Sequence, residues 1–197
     1  TMTANALTEF PVPAPETPDS PSDQQLIAAL NAGDADAFEP LYLRYRDWVV
    51  ALAHRFTGDE SLALDVMQET FLYLLKKFPG FRLTAQMKTF LYPAVKNLSI
   101  AARRKTSRVQ STEAEQQHLA QLPAAEIAFT NSAELSAALT NLSEDHREVL
   151  LLRFVDDLSL AEIAEAISVP LGTVKSRLHH ALETLRSDER AKEFFAA

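Results

Sequence analysis

Residues 158–186, LSLAEIAEAISVPLGTVKSRLHHALETLR, restrict the fold more than any other stretch, because they read as two short helices joined by a tight turn. Ser159 and Glu162 have the spacing of a capping box, in which a hydroxyl and a carboxylate satisfy free backbone donors at a helix start. Leu160, Ile163, Ala164 and Ile167 then recur at helical spacing and give one apolar face. Ser168-Val169-Pro170 breaks that helix, and Pro170 suits the first position of the next. In the second helix Val174, Leu178, Ala181, Leu182 and Leu185 line one side. Thr173, Ser176, Arg177 and His180 lie largely opposite, with Lys175 and His179 on the flanks. Such a helix packs inward by its leucines and presents donors outward, as a helix that reads the major groove of DNA must. An ordinary helical hairpin with a solvated polar face has the same periodicity.

The rest of the composition narrows the choice. Among 197 residues there is no cysteine, so neither a disulfide framework nor a thiolate metal site is available, and a reducing cytoplasm fits. Four glycines are too sparse for a phosphate-cradling loop, and no histidine pair has zinc-protease spacing. No nucleophile–base pair stands out, so the chain reads as a non-enzyme that needs no cofactor or metal. No apolar run approaches the length that spans a membrane, and no signal peptide is visible. Thr1 ahead of Met2 reads as a remnant of tag removal. The net charge of -8 argues against a protein that simply coats DNA. Its distribution says more. Residues 1–75 hold 12 acids and 3 bases, whereas residues 88–112 hold Lys88, Lys96, Arg103, Arg104, Lys105 and Arg108 with no acid. Cations are gathered where a nucleic acid can lie, and the acidic front half calls for a larger partner to bring the chain there.

Taken in order, residues 1–22 form a Pro-rich tail expected to be disordered. Ser22 and Gln25 open a helix that Gly33 stops. A second helix, starting near Asp34 or Asp36, carries the stripe Phe38, Leu41, Tyr42, Tyr45, Val49, Leu52 and Phe56. Gly58-Asp59 ends it and caps a third, which runs to about Lys77. There Ala63, Met67, Thr70, Phe71, Leu74 and Phe78 face the core, and Asp65, Gln68, Glu69 and Leu72 share another face. After a loop from Phe78, helix resumes near Met87. Its core face is Leu91, Ala94, Val95, Leu98 and Ala102. The opposite stripe, Lys96, Asn97, Ile100, Arg103 and Arg104, combines cations for phosphates with an amide for a base edge. Residues 106–130 read as a linker. A second unit, 131–190, starts with a cap-like Asn131 and the stripe Leu135, Ala138, Leu139 and Leu142. Ser143 then caps a helix through Val155, with Val149, Leu150, Leu152 and Phe154 available to the core.

Two runs carry a specific likeness. Ala161-Glu162-Ile163-Ala164 followed by Val169-Pro170-Leu171-Gly172-Thr173-Val174-Lys175-Ser176-Arg177-Leu178 closely resembles the helix-turn-helix by which bacterial sigma factors read the minus-thirty-five element. Asp65-Val66-Met67-Gln68-Glu69-Thr70-Phe71 is similar to the D-x-x-Q-E-x-F run of sigma domain two, and Thr89-Phe90-Leu91-Tyr92 with Lys96-Asn97-Leu98 resembles the helix that opens the minus-ten element. The short length, without a middle domain, points to the extracytoplasmic-function (ECF) type of the sigma-70 family.

The resemblance implies an all-α fold of two small helical domains. These are sigma domain two over 23–105 and sigma domain four over 131–190, joined by the flexible linker. It implies a dissociable subunit that binds core RNA polymerase, recognises two promoter elements and promotes melting. Asp65, Gln68, Glu69 and Leu72 would meet the polymerase clamp. Phe78, Phe81, Lys88, Phe90, Tyr92, Lys96, Asn97, Ile100, Arg103 and Arg104 would meet the minus-ten element, with the loop from Phe78 to Lys88 holding a base flipped from the stack. Thr173, Lys175, Ser176, Arg177, His179 and His180 would meet the minus-thirty-five element. An anti-sigma protein wedged between the domains is a further partner expected from the family. Three departures stand out: Phe90 where tryptophan is usual, Pro93 inside the melting helix, where it should kink the axis, and His179-His180 where arginine is frequent. The residues themselves leave open a stand-alone helix-turn-helix regulator of duplex DNA, or a helical adaptor for an acidic protein.

Overall fold

Several of the helices begin where a side chain satisfies a free N–H group of the first turn. A computed structural model of the chain describes residues 20–110 and 138–188, and within them every regular element is helical. Helix α1 (Asp23–Asn31) starts at the expected capping box, with Gln25 N–H donating to Ser22 Oγ and Ser22 N–H to Gln25 Oε1. A 3-10 turn (Ala35–Ala37), capped by Asp34, leads into α2 (Phe38–Thr57). Gly58, at φ 67, ends α2 in the left-handed conformation that a side chain would resist. Asp59 then caps α3 (Glu60–Leu75) by accepting from Leu62 N–H at 2.8 Å. Helix α4 (Met87–Gln110) runs on through Pro93. The chain therefore stays helical four residues beyond the Thr106 boundary expected for the linker. In the second unit α5 (Glu144–Phe154), α6 (Leu160–Ala166) and α7 (Leu171–Ser187) follow. Ser143 caps α5, and Ser159 with Glu162 forms the second capping box.

One expected helix start moves by a residue. Pro170 is the cap of α7 and not its first residue: its ψ of 145 is extended, and Leu171 is the first helical position. Ser168 reverses the chain before it, at φ 56. The Pro-rich tail and residues 111–137, including Asn131, Glu134, Leu135 and the tract from Glu115 to Leu122, lie outside the described residues.

Apolar stripes on α2, α3 and α4 meet in a three-helix core built on Leu41, Val49, Leu52, Val66, Phe71, Leu74, Leu91 and Val95. That core does not stop at the first unit. Val149 and Leu152 of α5, Leu158, Ile163 of α6 and Val174 of α7 belong to the same contiguous apolar cluster, and α6 packs on α4. A smaller cluster joins Ala138, Leu139 and Leu142 to Leu150, Ala181 and Leu185. Phe154, expected in the core, is 58% exposed. It lies one turn beyond Leu150 and joins neither apolar cluster.

Two polar side chains tie loops down. Arg147 is buried and donates from Nε to Leu139 O at 2.8 Å, and from Nη2 to Thr140 O and Leu142 O at 3.0 Å each. It thereby satisfies carbonyls left over as the chain turns into α5. Asn31, the last residue of α1, accepts from Gly80 N–H (2.6 Å) and Phe81 N–H (3.1 Å) and donates to Phe81 O (2.8 Å). One amide side chain thus pins the loop between α3 and α4. Two measurements check these ties. Arg147→Ala should cost about 3 kcal/mol in urea unfolding, since buried carbonyls lose charged donors, and lysine, a point charge without the fork, should restore only part of it. Asn31→Ala should raise amide hydrogen exchange at Gly80 and Phe81 by roughly ten-fold, the equivalent of about 1.4 kcal/mol of lost hydrogen bonding.

Candidate nucleic-acid and polymerase interface

Helix α3 buries Ala63, Val66, Met67, Thr70, Phe71 and Leu74 and leaves the other side to solvent. Asp65, Gln68, Glu69 and Leu72 are all exposed there. Leu72 is 48% exposed, and Leu64, Tyr73 and Leu75 beside it are exposed as well. An isolated exposed leucine means little, but four large apolar side chains on one short helix among acids form a mixed patch of the kind partners bury. Position in the helical repeat alone brings these groups together.

The loop and start of α4 gather aromatic rings. Phe78 meets Phe81 edge-on at 5.5 Å between centroids, Phe81 meets Phe90 at 4.7 Å, and Phe90 stacks on Tyr73 at 6.0 Å with 19° between planes. Lys77 Nζ sits 4.5 Å from the Tyr73 ring centroid. Phe78 and Phe90 are half-buried, whereas Phe81 is buried under them. Phe81 thus supports the aromatic row from within. Below the loop a cavity of about 230 Å³ is lined by Gln24, Ile27, Ala28, Asn31, Phe81 and Leu83 among others.

Along α4, Asn97 and Arg104 are exposed, and Ile100 is half-buried. Arg103 donates to Phe56 O at 3.2 Å, across to α2. The other cations of the stripe have protein partners from the second unit. Lys88 Nζ donates to Asp156 O at 3.0 Å and lies 5.8 Å from the Trp48 ring centroid. Lys96 pairs with Glu148. Tyr92 does not face outward in this arrangement: it is 2% exposed and donates its hydroxyl to Glu148. Burial, and after it the charge and hydrogen bond of Glu148, push the Tyr92 phenol far above its usual range, so it remains a donor. Its register explains the miss, because Tyr92 follows core residue Leu91 on a face shared by Phe56 of α2, whose ring meets it edge-on at 6.2 Å, and by the second unit.

On α7, Val174, Ala181 and Leu185 are buried, Lys175, Ser176, His179 and His180 are exposed, and Thr173 is partly covered. Arg177 ion-pairs with Asp145 at the start of α5. The His180 ring stacks on His146 at 5.9 Å and meets His179 at 5.5 Å, with Glu183 Oε2 3.5 Å from its Nδ1. Sequence reasoning missed Asn31, Asp145, His146, Glu148 and Asp156. All five sit on other elements than the groups they touch, and no local spacing connects them. Among the described residues no group of three or more His, Asp or Glu is placed to hold a metal, and no helix is long and apolar enough to cross a membrane.

Comparison with known proteins fits this layout. The family described as Sigma-70 region 2 matches residues 41–109, and Sigma-70, region 4 matches residues 132–185. The chain is similar to the ECF RNA polymerase sigma factor SigW of Bacillus subtilis, with 31% identity over 83% of this chain and 95% of that one. It is 32% identical to the RNA polymerase sigma-H factor of Pseudomonas aeruginosa, over 83% and 91% of the two chains, and 32% identical to the ECF RNA polymerase sigma-E factor of Escherichia coli, over 83% and 92%. In fold it is similar to CnrH, solved with the cytosolic domain of CnrY (TM-score 0.60, 21% identity, 82% and 93% covered). It is also similar to RpoE of Bartonella quintana, solved with the anti-sigma factor NepR (TM-score 0.59, 22% identity, 77% and 96% covered). With two sigma regions in order and more than nine-tenths of these curated relatives spanned, the chain belongs to the ECF RNA polymerase sigma factors of the sigma-70 family, subunits for promoter recognition and transcription initiation.

Proposed function

We propose that three surfaces divide the work of this sigma subunit. The exposed face of α3, through Asp65, Gln68, Glu69 and Leu72, grips the clamp of core RNA polymerase. The stripe of α4, with Lys88, Lys96, Asn97, Ile100, Arg103 and Arg104, takes the minus-ten element, and Phe78 and Phe90 offer ring faces to an extruded base. Unstacking a base costs a few kcal/mol, so a stacking surface must offset it. The outward face of α7 takes the minus-thirty-five element through Lys175, Ser176, Arg177, His179 and His180, with Thr173 at a phosphate. Residues 23–105 and 131–190 are the corresponding domains, and the intervening residues connect them along the polymerase. The subunit acts in the cytoplasm, catalyses nothing itself and requires no cofactor. An anti-sigma protein is a further partner, a reading supported by a neighbour of similar fold that was solved with an anti-sigma factor; a pull-down from native cells that recovers polymerase subunits alone would count against one.

The observation carrying this reading is that α3 leaves Asp65, Gln68, Glu69 and Leu72 exposed while the neighbouring α4 carries Lys88, Lys96, Arg103 and Arg104. In vitro transcription from a promoter library tests it directly. Core polymerase with the chain should initiate at specific sites, and core alone should not. Ala at both Asp65 and Glu69 should weaken core association about ten-fold or more, corresponding to about 1.4 kcal/mol; unchanged association would misplace the grip. Arg177→Ala should cost about 1–3 kcal/mol on the preferred sequence if Arg177 forms a bidentate base contact, whereas equal loss on all sequences would make it a phosphate contact. His180→Arg replaces a shorter, mostly neutral ring by a longer cation. The selected minus-thirty-five sequence should then change, and an unchanged profile would remove His180 from the reading set.

A further inference from the structure

The loop between α3 and α4 is tied at a single place. Residues 79–85 have no regular structure, and among the described residues each hydrogen bond they make has the Asn31 side chain at its other end. Gly80 holds φ 100, a conformation open to glycine. Its N–H and that of Phe81 both point to Asn31 Oδ1, at 2.6 and 3.1 Å, while Asn31 Nδ2 donates to Phe81 O at 2.8 Å. The backbone of Phe81 is thereby held on both sides by one half-buried carboxamide that α1 carries in its last position.

Apolar packing does not hold the loop at this place. Between Ile27 and Ala28 of α1 and Phe81 and Leu83 of the loop lies the cavity of about 230 Å³, into which an untied loop could settle. What the tie fixes is the ring row. Phe81 is buried, and its ring meets Phe78 at 5.5 Å and Phe90 at 4.7 Å, so its position sets theirs. Phe78 and Phe90 are the two half-buried members of the row.

We propose that Asn31 is a positioning residue for base capture. Acting through the backbone of Gly80 and Phe81, it sets the ring faces of Phe78 and Phe90 in advance for a nucleobase extruded from the nontemplate strand of the minus-ten element. The inference rests on the reading of this loop as the one that holds the extruded base, and adds to it a residue of α1. Extrusion gives up stacking within the DNA, and a ring returns it in full only if it already stands in place. A loop ordered at the moment of binding uses up part of that return. A carboxamide suits the task, since its oxygen accepts from two N–H groups while its nitrogen donates to a carbonyl. Being uncharged, it does this without repelling a nearby phosphate.

The test is a cycle between Asn31 and each base, run on the full chain bound to core polymerase. The probe is a promoter from the library whose minus-ten region is already unpaired, with each nontemplate base there removed in turn to leave an abasic sugar. With the parent chain one position should stand out, its loss weakening binding about ten-fold or more. Alanine suits the last turn of α1. Asn31→Ala should weaken binding of the intact probe about ten-fold, as when an untied loop is set for capture about one-tenth of the time. Removing the same base should then cost less than about two-fold more, because no prepared ring is left for it to lose. Asn31→Asp keeps the acceptor and loses the donor, and should stay within about three-fold of the parent.

Losses that simply add, or a loss shared by every position, overturn the inference and leave the base-holding loop intact. No outstanding position with the parent chain overturns that loop, and the inference with it. Association of Asn31→Ala with core polymerase within about two-fold of the parent shows that the variant is folded. If association is lost, Asn31→Asp carries the cycle, with a coupling of about three-fold expected at the same base and none overturning the inference.

Discussion

A carboxylate withdrawn from water needs donors on every side, and Asp156 finds them only where two units meet. Trp48 and Arg55 reach it from α2, and Lys88 reaches its backbone from α4. Around this point the apolar residues of both units form one cluster, so Val149, Leu152 and Ile163 are as dry as Val49 and Leu52. Hydrophobic contact supplies the attraction and is indifferent to register. The ionic contacts supply the register, because a buried charge tolerates only the geometry that pairs it.

The interaction surfaces follow from what each helix has left over. A helix in a three-helix core commits about half its circumference, and the other half is free to carry chemistry. On α3 that half is acidic and apolar, on α4 cationic, on α7 a row of short polar and basic donors. None of these needs a cavity or a strained backbone. The exception is the loop before α4, where rings must be held at the surface without an element to hold them. There Asn31 supplies the missing constraint from α1, and Phe81 is sacrificed as the buried support for Phe78 and Phe90.

Much of this was legible in the chain because it is local. Capping boxes at Ser22 and Ser159, the stop at Gly58 and the stripes of α2, α3 and α7 all depend on residues within a turn or two of each other. The exposed quartet on α3 follows from the same repeat. What escaped depends on partners distant in sequence. Tyr92 reads as an outward aromatic on α4 until Glu148 and the second unit cover it. Phe154 reads as core because Leu150 is, but it joins neither apolar cluster. Arg177 and Lys96 read as free cations, but Asp145 and Glu148 lie 32 and 52 residues away from them. Periodicity assigns a face to each residue; it says nothing of which faces will meet.

The charge distribution then acquires a reason that fold alone does not give it. A chain carrying -8 is repelled by DNA at long range, however basic one of its helices is. Counterion release favours binding only once the cations are close to phosphates. Placing those cations on α4 and then matching them with Glu148 and the Asp156 carbonyl extends the same logic to short range, since a paired lysine has less to gain from a phosphate than a solvated one. Net acidity discourages approach, and pairing discourages contact. A larger assembly that brings subunit and promoter together removes the first obstacle, because proximity then no longer has to be won against the net charge.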